Sequence, residues 1–203
     1  IGSEISRQII KLKPKKLLLI EINEFALYKI NDELKNIGKN IKIIPLLINI
    51  QNSSKIEDIF KNFKVDTIYH AAAYKHVPLV EENICESVKN NVFGTYIIAK
   101  NVLKYGVDNF VLISSDKAVR PTNIMGASKR LAEISIQSLY DNHCQQHGDH
   151  DLQTKFAIVR FGNVLQSSGS VIPKFKKQIK EGGPVTLTHQ DVTRYFMTLI
   201  EAS

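Results

Sequence analysis

Residues 114–130, SSDKAVRPTNIMGASKR, decide the fold, because they place charged and hydroxyl side chains directly after a short apolar run. That run, residues 110–113, is typical of a buried strand in a parallel sheet. Ligands of open α/β sheets bind just outside the carboxyl ends of such strands. We therefore expect Ser115, Asp116 and Lys117 to stand at a cleft.

A helix is predicted to follow this cluster. Pro121 and Asn123 mark a turn, and a helical pattern begins at about Met125. Met125 and Lys129 are four residues apart and share one helix face. A hydroxyl, a carboxylate and two amines can then converge on one small molecule, although spacing alone fits a surface loop of solvated charges equally well.

The same stretch resembles the extended short-chain dehydrogenase/reductase family, in which a hydroxyl residue ends a strand and a Tyr-x-x-x-Lys pair follows on a helix. Met125 stands at the tyrosine position and Lys129 at the lysine position. A thioether cannot exchange a proton as a phenol does. The methionine fits one branch, the polysaccharide-biosynthesis nucleotide-sugar 4,6-dehydratases that act on UDP-N-acetylglucosamine. Their signature Asp-Lys-Ala-Val-x-Pro-Thr-Asn-x-Met-Gly is present at residues 116–126.

Composition limits the class of protein. The 203 residues are 43% hydrophobic, which is typical of a soluble globular domain, and no apolar run reaches the roughly 18 residues of a membrane-spanning helix. Cys85 and Cys144 have no disulfide or metal spacing, which favours a reducing compartment. The net charge of +7 comes from dispersed lysines. Since no nucleic-acid motif accompanies this charge, we expect no nucleic-acid partner.

Hydrophobic periodicity predicts alternating helices and strands. One predicted helix begins at residue 1, and four others cover 24–36, 56–63, 85–105 and 125–141. The predicted strands cover 17–20, 41–47, 65–69, 110–113 and 156–160. The resemblance implies an α/β fold with a Rossmann-like doubly wound parallel sheet, truncated at both ends. It divides the chain into a dinucleotide-binding domain, 1–160, and the start of a substrate-binding region, 161–203.

The first half carries the predicted cofactor contacts. Glu21 ends a predicted strand, where an acidic residue hydrogen-bonds the adenosine ribose in dinucleotide-binding folds; the alternative is an exposed loop acid. Gly2 matches the tail of the family's Gly-x-Gly-Gly-x-Ile-Gly turn, which implies that the first strand and most of that turn are missing. The resemblance implies NAD or NADP, and Glu21 disfavours the 2′-phosphate of NADP. The full set of predicted cofactor residues is Gly2, Glu21, Asn49, Ala71, Ala72, Ala73, Lys75 and Lys129.

The second half carries the predicted substrate contacts. By resemblance, Asn163 contacts the nucleotide sugar and Arg194 holds a phosphate, which its planar fork suits. Residues 167–173 also match the substrate side of the family. A helix after residue 173 and a strand near 185–187 are predicted to begin a substrate lid. Ile200 departs from the family, which has proline there.

Histidines give weaker signals. His143 and His147 are spaced to bind a metal if helical, but Gly148 and its polar neighbours favour an inserted irregular connection over 142–154, so we expect no metal site. His76 is a candidate acid or base, although a lone histidine is more often structural. Asn91 matches the family's structural asparagine.

The resemblance implies a division of chemical labour. Lys117 is the base that removes the C5 proton of the sugar, and Asp116 is the acid at the C6 hydroxyl. Lys129 anchors the nicotinamide ribose, Ser115 hydrogen-bonds the C4 oxygen, and Met125 only packs. The group that deprotonates the C4 hydroxyl stays open.

Two other functions are compatible with the sequence. One is a nucleotide-sugar 4-epimerase, which needs no acid–base pair at C5 and C6. The other is a non-catalytic nucleotide-sugar-binding or membrane-surface domain. The resemblance further implies a UDP-sugar substrate, a homo-oligomer, and a cytoplasmic location. If the parent protein has membrane helices upstream, that location is the cytoplasmic face of the inner membrane.

Overall fold

Strands and helices alternate along the chain, as the hydrophobic periodicity predicts. The computed structural model describes residues 1–147, 154–165, 171–187, 189–191 and 193–203. Its helices are α1 (Gly2–Lys11), α2 (Glu24–Ile37), α3 (Ser53–Asn62), α4 (Val77–Glu82), α5 (Ile84–Val88), α6 (Thr95–Lys104), α7 (Ile124–His147) and α8 (Val171–Lys180). Its strands are β1 (Lys16–Glu21), β2 (Lys42–Leu47), β3 (Thr67–His70), β4 (Asn109–Ile113), β5 (Lys155–Val159), β6 (Asn163–Val164) and β7 (Phe196–Met197).

All described strand pairs are parallel, which confirms the predicted α/β class. β1 pairs with β2, β4 lies between β3 and β5, and β6 pairs with β7. In a doubly wound sheet, the first strand of the fold separates the next two strands from those that follow. Within the described residues no strand pairs with both groups, and β1–β2 and β3–β4–β5 form separate sheets.

A shared apolar core holds the two main sheets together. Phe110 of β4 is fully buried, and its ring lies 5.5 Å from that of Phe156 on the neighbouring strand. Side chains of β1 pack against the same core as Phe110 and Ile56 of α3. A smaller cluster, in which Leu34 is fully buried, joins α1 and α2 to β1 and β2. The burial of these apolar side chains fixes the strand ends relative to one another.

The predicted helix over 85–105 contains a distortion that periodicity did not reveal. It is built from α5, a π-helical turn at Lys89–Gly94, and α6. A Cβ at Gly94 would lie 2.6 Å from Ile50 Cδ1, so the backbone of this turn approaches the core as only glycine allows. π-turns of this kind are frequent at functional sites.

Two predicted features are wrong. Helix α7 runs to His147, so the irregular connection predicted from residue 142 does not begin there; Gly148 and the rest of that segment up to 153 lie outside the described residues. No strand forms at 185–187, where Val185 and Leu187 are exposed and have no neighbouring strand. The elements α4, β6 and β7 were not predicted from the sequence. In the described part of the chain, no helix is both long and apolar enough to span a bilayer.

Candidate active site

The segment after β4 turns tightly at the carboxyl edge of the sheet. Ser115 is extended and caps a 3₁₀ turn at Asp116–Ala118, accepting a hydrogen bond from the Lys117 backbone N–H at 3.2 Å. The Ser115 hydroxyl donates to Asp116 Oδ1 at 3.0 Å. The backbone N–H of Asp116 donates to the carbonyl of Phe161, which follows β5. These contacts hold the predicted cluster at the strand ends, with the side chains of Asp116 and Lys117 partly exposed.

Lys117 joins the two parts of the predicted site. Its Nζ donates to Asp116 Oδ1 at 2.9 Å and to Asn163 Oδ1 at 3.2 Å. Asn163 begins β6, and its backbone N–H donates to the Tyr195 carbonyl. The structure therefore brings Ser115, Asp116, Lys117 and Asn163 into one hydrogen-bonded chain of side chains, which we call the Lys117 network.

The Lys117 network stabilises the charged form of Asp116. Partial burial by itself raises the pKa of the Asp116 carboxyl, but the ammonium of Lys117 and the hydroxyl of Ser115 outweigh it and lower the pKa overall. Asp116 is therefore a carboxylate in this state and can accept a proton before it donates one.

The start of α7 packs directly on this loop. Asn123 Oδ1 accepts from the Gly126 N–H at 2.8 Å, and Glu81 Oε1 of α4 accepts from the Ile124 N–H at 2.7 Å, so side chains satisfy donors that a helix start leaves unpaired. A Cβ on Gly126 would overlap the carbonyl oxygen of Lys117. Met125 is only 4% exposed. The helix start is thus fixed against the Lys117 network, with Met125 packed inside.

Lys129 is buried one turn further along α7. Its Nζ donates to the carbonyl oxygen of Ile113, at the end of β4, at 2.8 Å. Burial lowers the pKa of Lys129 to about 8, against an opposing effect of the Glu133 carboxylate. An ammonium that is partly neutralised near pH 8 is therefore fixed at the carboxyl edge of the sheet.

Asn91 fixes the loop after β3, as expected of a structural asparagine. Its side chain accepts from the Tyr74 N–H at 2.8 Å and donates to the Tyr74 carbonyl at 3.0 Å. It also donates to Ser128 Oγ, beside Lys129. This places the loop that contains Ala71, Ala72, Ala73 and Lys75 next to α7. Burial lowers the pKa of Lys75.

His70, a buried histidine that was not predicted from the sequence as a site residue, supports the loop after β3. His70 Nε2 lies 2.8 Å from Thr95 Oγ1, and the Thr95 hydroxyl donates to the Asn91 carbonyl. Since the hydroxyl proton is already used, His70 donates from Nε2. Burial lowers the pKa of His70 to about 3, so the ring is neutral. His76, the histidine considered from sequence, is exposed.

Two further predicted cofactor residues lie side by side at the ends of β1 and β2. Glu21 Oε1 accepts from the N–H groups of Ile22 and Asn23, both at 2.9 Å, which aims the carboxylate along the strand end. The Ile48 N–H donates to the Glu21 carbonyl, and Asn49 follows directly. Gly2 begins α1 beside Ala71, since a Cβ on Gly2 would lie 3.8 Å from Ala71 Cβ.

This edge fits the adenosine and ribose parts of a nicotinamide dinucleotide. The described contacts use one oxygen of Glu21 and leave the other available for a ribose hydroxyl. Gly2 and Ala71 put little side-chain bulk between α1 and the loop after β3, which would let a pyrophosphate pass close to the backbone.

Arg194 is not brought into the Lys117 network by any described hydrogen bond. It is exposed, and its guanidinium donates to the carbonyl of its neighbour Thr193. Residues 166–170 of the predicted substrate side lie outside the described residues. Among the described residues, no group of three or more His, Cys, Asp or Glu side chains is arranged to hold a metal ion.

Comparison with known proteins shows which families this chain is similar to. A family model described as "Polysaccharide biosynthesis protein" matches residues 1–203. The capsular polysaccharide biosynthesis protein CapD of Staphylococcus aureus is 49% identical over 204 residues, covering 100% of this chain and 33% of that protein. The UDP-glucose 4-epimerase of Rickettsia akari is 34% identical over 197 residues, covering 93% of this chain and 54% of that enzyme.

The fold also matches a solved structure. The X-ray structure of Pen from Bacillus thuringiensis superposes with a TM-score of 0.85 at 34% identity, covering 99% of this chain and 62% of that chain. The present chain thus spans about a third of CapD and less than two thirds of the other two proteins.

Proposed function

The chain belongs to the polysaccharide biosynthesis protein family, and from that premise we propose that it forms the catalytic core of a nucleotide-sugar 4,6-dehydratase. The proposed substrate is UDP-N-acetylglucosamine, and the product is its 4-keto-6-deoxy sugar. The observation that carries this proposal is the 2.9 Å contact between Lys117 Nζ and Asp116 Oδ1, because it supplies a matched base and acid.

The Lys117–Asp116 pair balances the protons of an elimination. The pair begins as ammonium and carboxylate, and one proton passes from Lys117 to Asp116. Neutral Lys117 then removes the C5 proton of the 4-keto sugar, while protonated Asp116 gives its proton to the C6 hydroxyl, which leaves as water. Elimination leaves the pair as ammonium and carboxylate. Lys117 then returns a proton to C5 as hydride returns to C6, and the proton released from the C4 hydroxyl during its oxidation restores the ammonium for the next turnover.

Asn163 and Ser115 support this pair in the proposed site. Asn163 Oδ1 accepts from Lys117 Nζ and so orients the amine towards the sugar side of the cleft. The Ser115 hydroxyl, which donates to Asp116 Oδ1, is proposed to hydrogen-bond the C4 oxygen. Arg194 remains a proposed phosphate contact, and residues 161–203 remain the proposed start of the substrate region.

The proposed cofactor is NAD. When bound, a nicotinamide dinucleotide takes hydride from C4 of the sugar and returns it to C6, so no external reductant is consumed. Glu21 and Asn49 would hold the adenosine end, and Gly2 with Ala71 would let the pyrophosphate pass. Lys129 would hold the nicotinamide ribose. Glu21 favours NAD over NADP because a carboxylate repels a 2′-phosphate.

A 4-epimerase is the second candidate, and the identity with the Rickettsia akari enzyme favours it. Epimerisation also begins by oxidation at C4, but it makes no use of a base at C5 and an acid at C6. The Asp116–Lys117 pair therefore favours the dehydratase.

Mass spectrometry of UDP-N-acetylglucosamine incubated with the full-length protein and NAD separates these functions. Loss of one water supports the dehydratase. An unchanged mass with an altered retention time supports the epimerase and contradicts the proposal. An unchanged substrate, with the sugar nucleotide still bound, supports the binding domain instead.

A further inference from the structure

A buried carboxylate outside the proposed chemistry connects three segments of the candidate site. Glu133 of α7 is 1% exposed, although it is charged. Its Oε1 accepts from Ser114 Oγ at 2.6 Å and from Arg160 Nε at 2.9 Å. Its Oε2 accepts from Arg130 at 3.0 Å and from a second nitrogen of Arg160. We call these four residues the Glu133 cluster.

The Glu133 cluster joins three segments that carry predicted site residues. Ser114 directly follows β4 and immediately precedes Ser115. Arg160 directly follows β5 and lies three residues before Asn163. Glu133 itself lies one helical turn after Lys129, on the same face of α7.

Backbone contacts reinforce these links. The Ser114 N–H donates to the Val159 carbonyl at 2.7 Å, and the Asp116 N–H donates to the Phe161 carbonyl at 3.0 Å. Arg160 stands between those two acceptors. The Glu133 carboxylate therefore connects the carboxyl ends of β4 and β5 to helix α7.

The energetic cost of burying the Glu133 carboxylate indicates that this residue does more than fill space in the core. A carboxylate removed from water costs several kcal/mol unless its oxygens are fully hydrogen-bonded. Burial raises the pKa of Glu133, but Arg160, Ser114 and Arg130 outweigh it and hold the pKa well below its usual range. A hydrophobic residue would fill this place at lower cost if packing were the only requirement.

We propose that Glu133 is a positioning residue: by fastening α7 to the ends of β4 and β5, it sets Lys129 and the Lys117 network at working distance from each other. Glu133 touches none of the proposed reacting groups and acts through Ser114, Arg160 and the helix. This inference rests on the proposed function for its catalytic consequence, but its structural consequence holds without it.

Charge gives the cluster a second effect on Lys129. Among the described residues, Glu133 from α7 opposes the deprotonation of the buried ammonium, and His70 from β3 also lies close enough to interact with it. His70 is neutral because of its burial. The Glu133 carboxylate therefore is the charge that opposes deprotonation of Lys129, and its removal is expected to lower the pKa of Lys129.

The test uses Glu133→Gln in the full-length protein, with Glu57→Gln as matched control. Glu57 is also a carboxylate with two side-chain donors, Lys104 and Tyr105, but it joins α3 to α6 away from the site. Amide hydrogen exchange is measured without cofactor or substrate. We expect exchange at 114–118 and 160–163 to rise by about tenfold or more in Glu133→Gln and to stay unchanged in the control.

Activity and its pH dependence supply the catalytic readout. We expect kcat of Glu133→Gln to fall by about 100-fold, since small displacements of reacting groups are costly, with KM for the sugar nucleotide changing little. The alkaline limb of the pH–rate profile should move to lower pH. Unchanged exchange together with an unchanged pH profile overturns the proposal.

Two further arms keep the outcomes distinct. If wild-type protein converts no sugar nucleotide, the proposed function fails while the exchange result still tests the positioning role. If Glu133→Gln does not fold, Arg160→Lys replaces it, because it keeps the positive charge but loses the two-pronged contact. Exchange in Arg160→Lys equal to wild type at 114–118 and 160–163 then overturns the proposal.

Discussion

The carbonyl oxygen of Lys117 and the α-carbon of Gly126 are in such close contact that no side chain fits between them. The first turn of α7 therefore rests on the backbone of the residue proposed as the base. Lys117 can take this position because Gly126, nine residues later, has no side chain.

Gly126→Ala is expected to destabilise the protein and reduce turnover. Alanine inside a helix is normally better than glycine by about 1 kcal/mol, so a loss of stability here would report the overlap with Lys117. Urea unfolding and steady-state kinetics of the full-length protein measure both effects. Ala127→Ser, at the exposed neighbouring position, is the control. A more stable and fully active Gly126→Ala would contradict the close contact.

Lys117→Arg is expected to abolish dehydration while leaving the site folded. Arginine keeps the positive charge beside Asp116, but a guanidinium is not deprotonated in proteins and cannot remove the C5 proton. Product formation is followed by mass spectrometry, and folding by circular dichroism. Lys89→Arg is the control, because Lys89 pairs with Glu86 on the surface. Substantial turnover by Lys117→Arg would contradict the assignment of Lys117 as the base that removes the C5 proton.

Met125→Leu is expected to keep most of the activity, because we assign Met125 to packing alone. Volume-conserving apolar exchanges usually cost less than about 1.5 kcal/mol of stability. Met125→Ala leaves a cavity and should cost about 2–5 kcal/mol. Thermal unfolding and kcat are measured for both variants. A large loss of kcat in a stable Met125→Leu would show that the thioether has a chemical role.

The burial of Lys129 predicts a pH-dependent contribution to stability. The pKa of Lys129 is about 8 in the folded protein, against 10.5 as its ordinary value. Between these values the unfolded chain binds more protons than the folded one, so the Lys129 contribution to stability rises with pH from about 8 to 10.5.

Comparison with Lys129→Met isolates this contribution. The difference in free energy of unfolding, wild type minus variant, should increase between pH 7.5 and 10 by on the order of 2 kcal/mol. Denaturant titrations at several pH values measure it. A flat difference across that range would mean that Lys129 is not desolvated as described.

Glu21→Ala is expected to weaken discrimination against NADP. In the proposed cofactor site the carboxylate would face an approaching 2′-phosphate, so its removal should tighten NADP binding relative to NAD by about tenfold or more. Fluorescence titration of both dinucleotides gives the two dissociation constants. Glu24→Ala, which removes an exposed acid on the adjacent helix, should leave the ratio unchanged. An unchanged ratio of the NADP and NAD dissociation constants in Glu21→Ala would show that another group discriminates between the two riboses.

Local sequence patterns predicted the elements well where one strand or helix decides the outcome. The apolar run before Ser115 is a strand, and the polar residues after it lie at its carboxyl end, because buried strands are continuous apolar runs in parallel sheets. Ser115, Asp116 and Lys117 were expected together because they follow one another in the sequence, whereas the contact of Lys117 with Asn163 was not predicted. The alternation of strands and helices follows from the apolar runs and periodic segments, and the Rossmann-like class follows from the family resemblance.

Features that depend on contacts between distant segments were not predicted. Glu133 is one turn after Lys129, but only the fold brings Ser114 and Arg160 to its carboxylate. Residues 185–187 alternate as a strand does, yet a strand needs a hydrogen-bonding neighbour that this segment lacks. Polar residues after 141 continue α7, because polarity by itself does not end a helix when no proline or glycine intervenes.

The π-turn at Lys89–Gly94 has a consequence for insertions and deletions. A π-turn contains one residue more than the α-helix that it interrupts. Removing the exposed Phe93 would restore a regular helical turn and leave Asn91 and Thr95 three residues apart instead of four, which changes the angle between their side chains around the helix axis. Asn91 could then no longer face Tyr74 while Thr95 still faced His70. The length of this segment is therefore as strictly constrained as the identity of its residues, and a one-residue deletion there should be worse tolerated than substitution of Phe93.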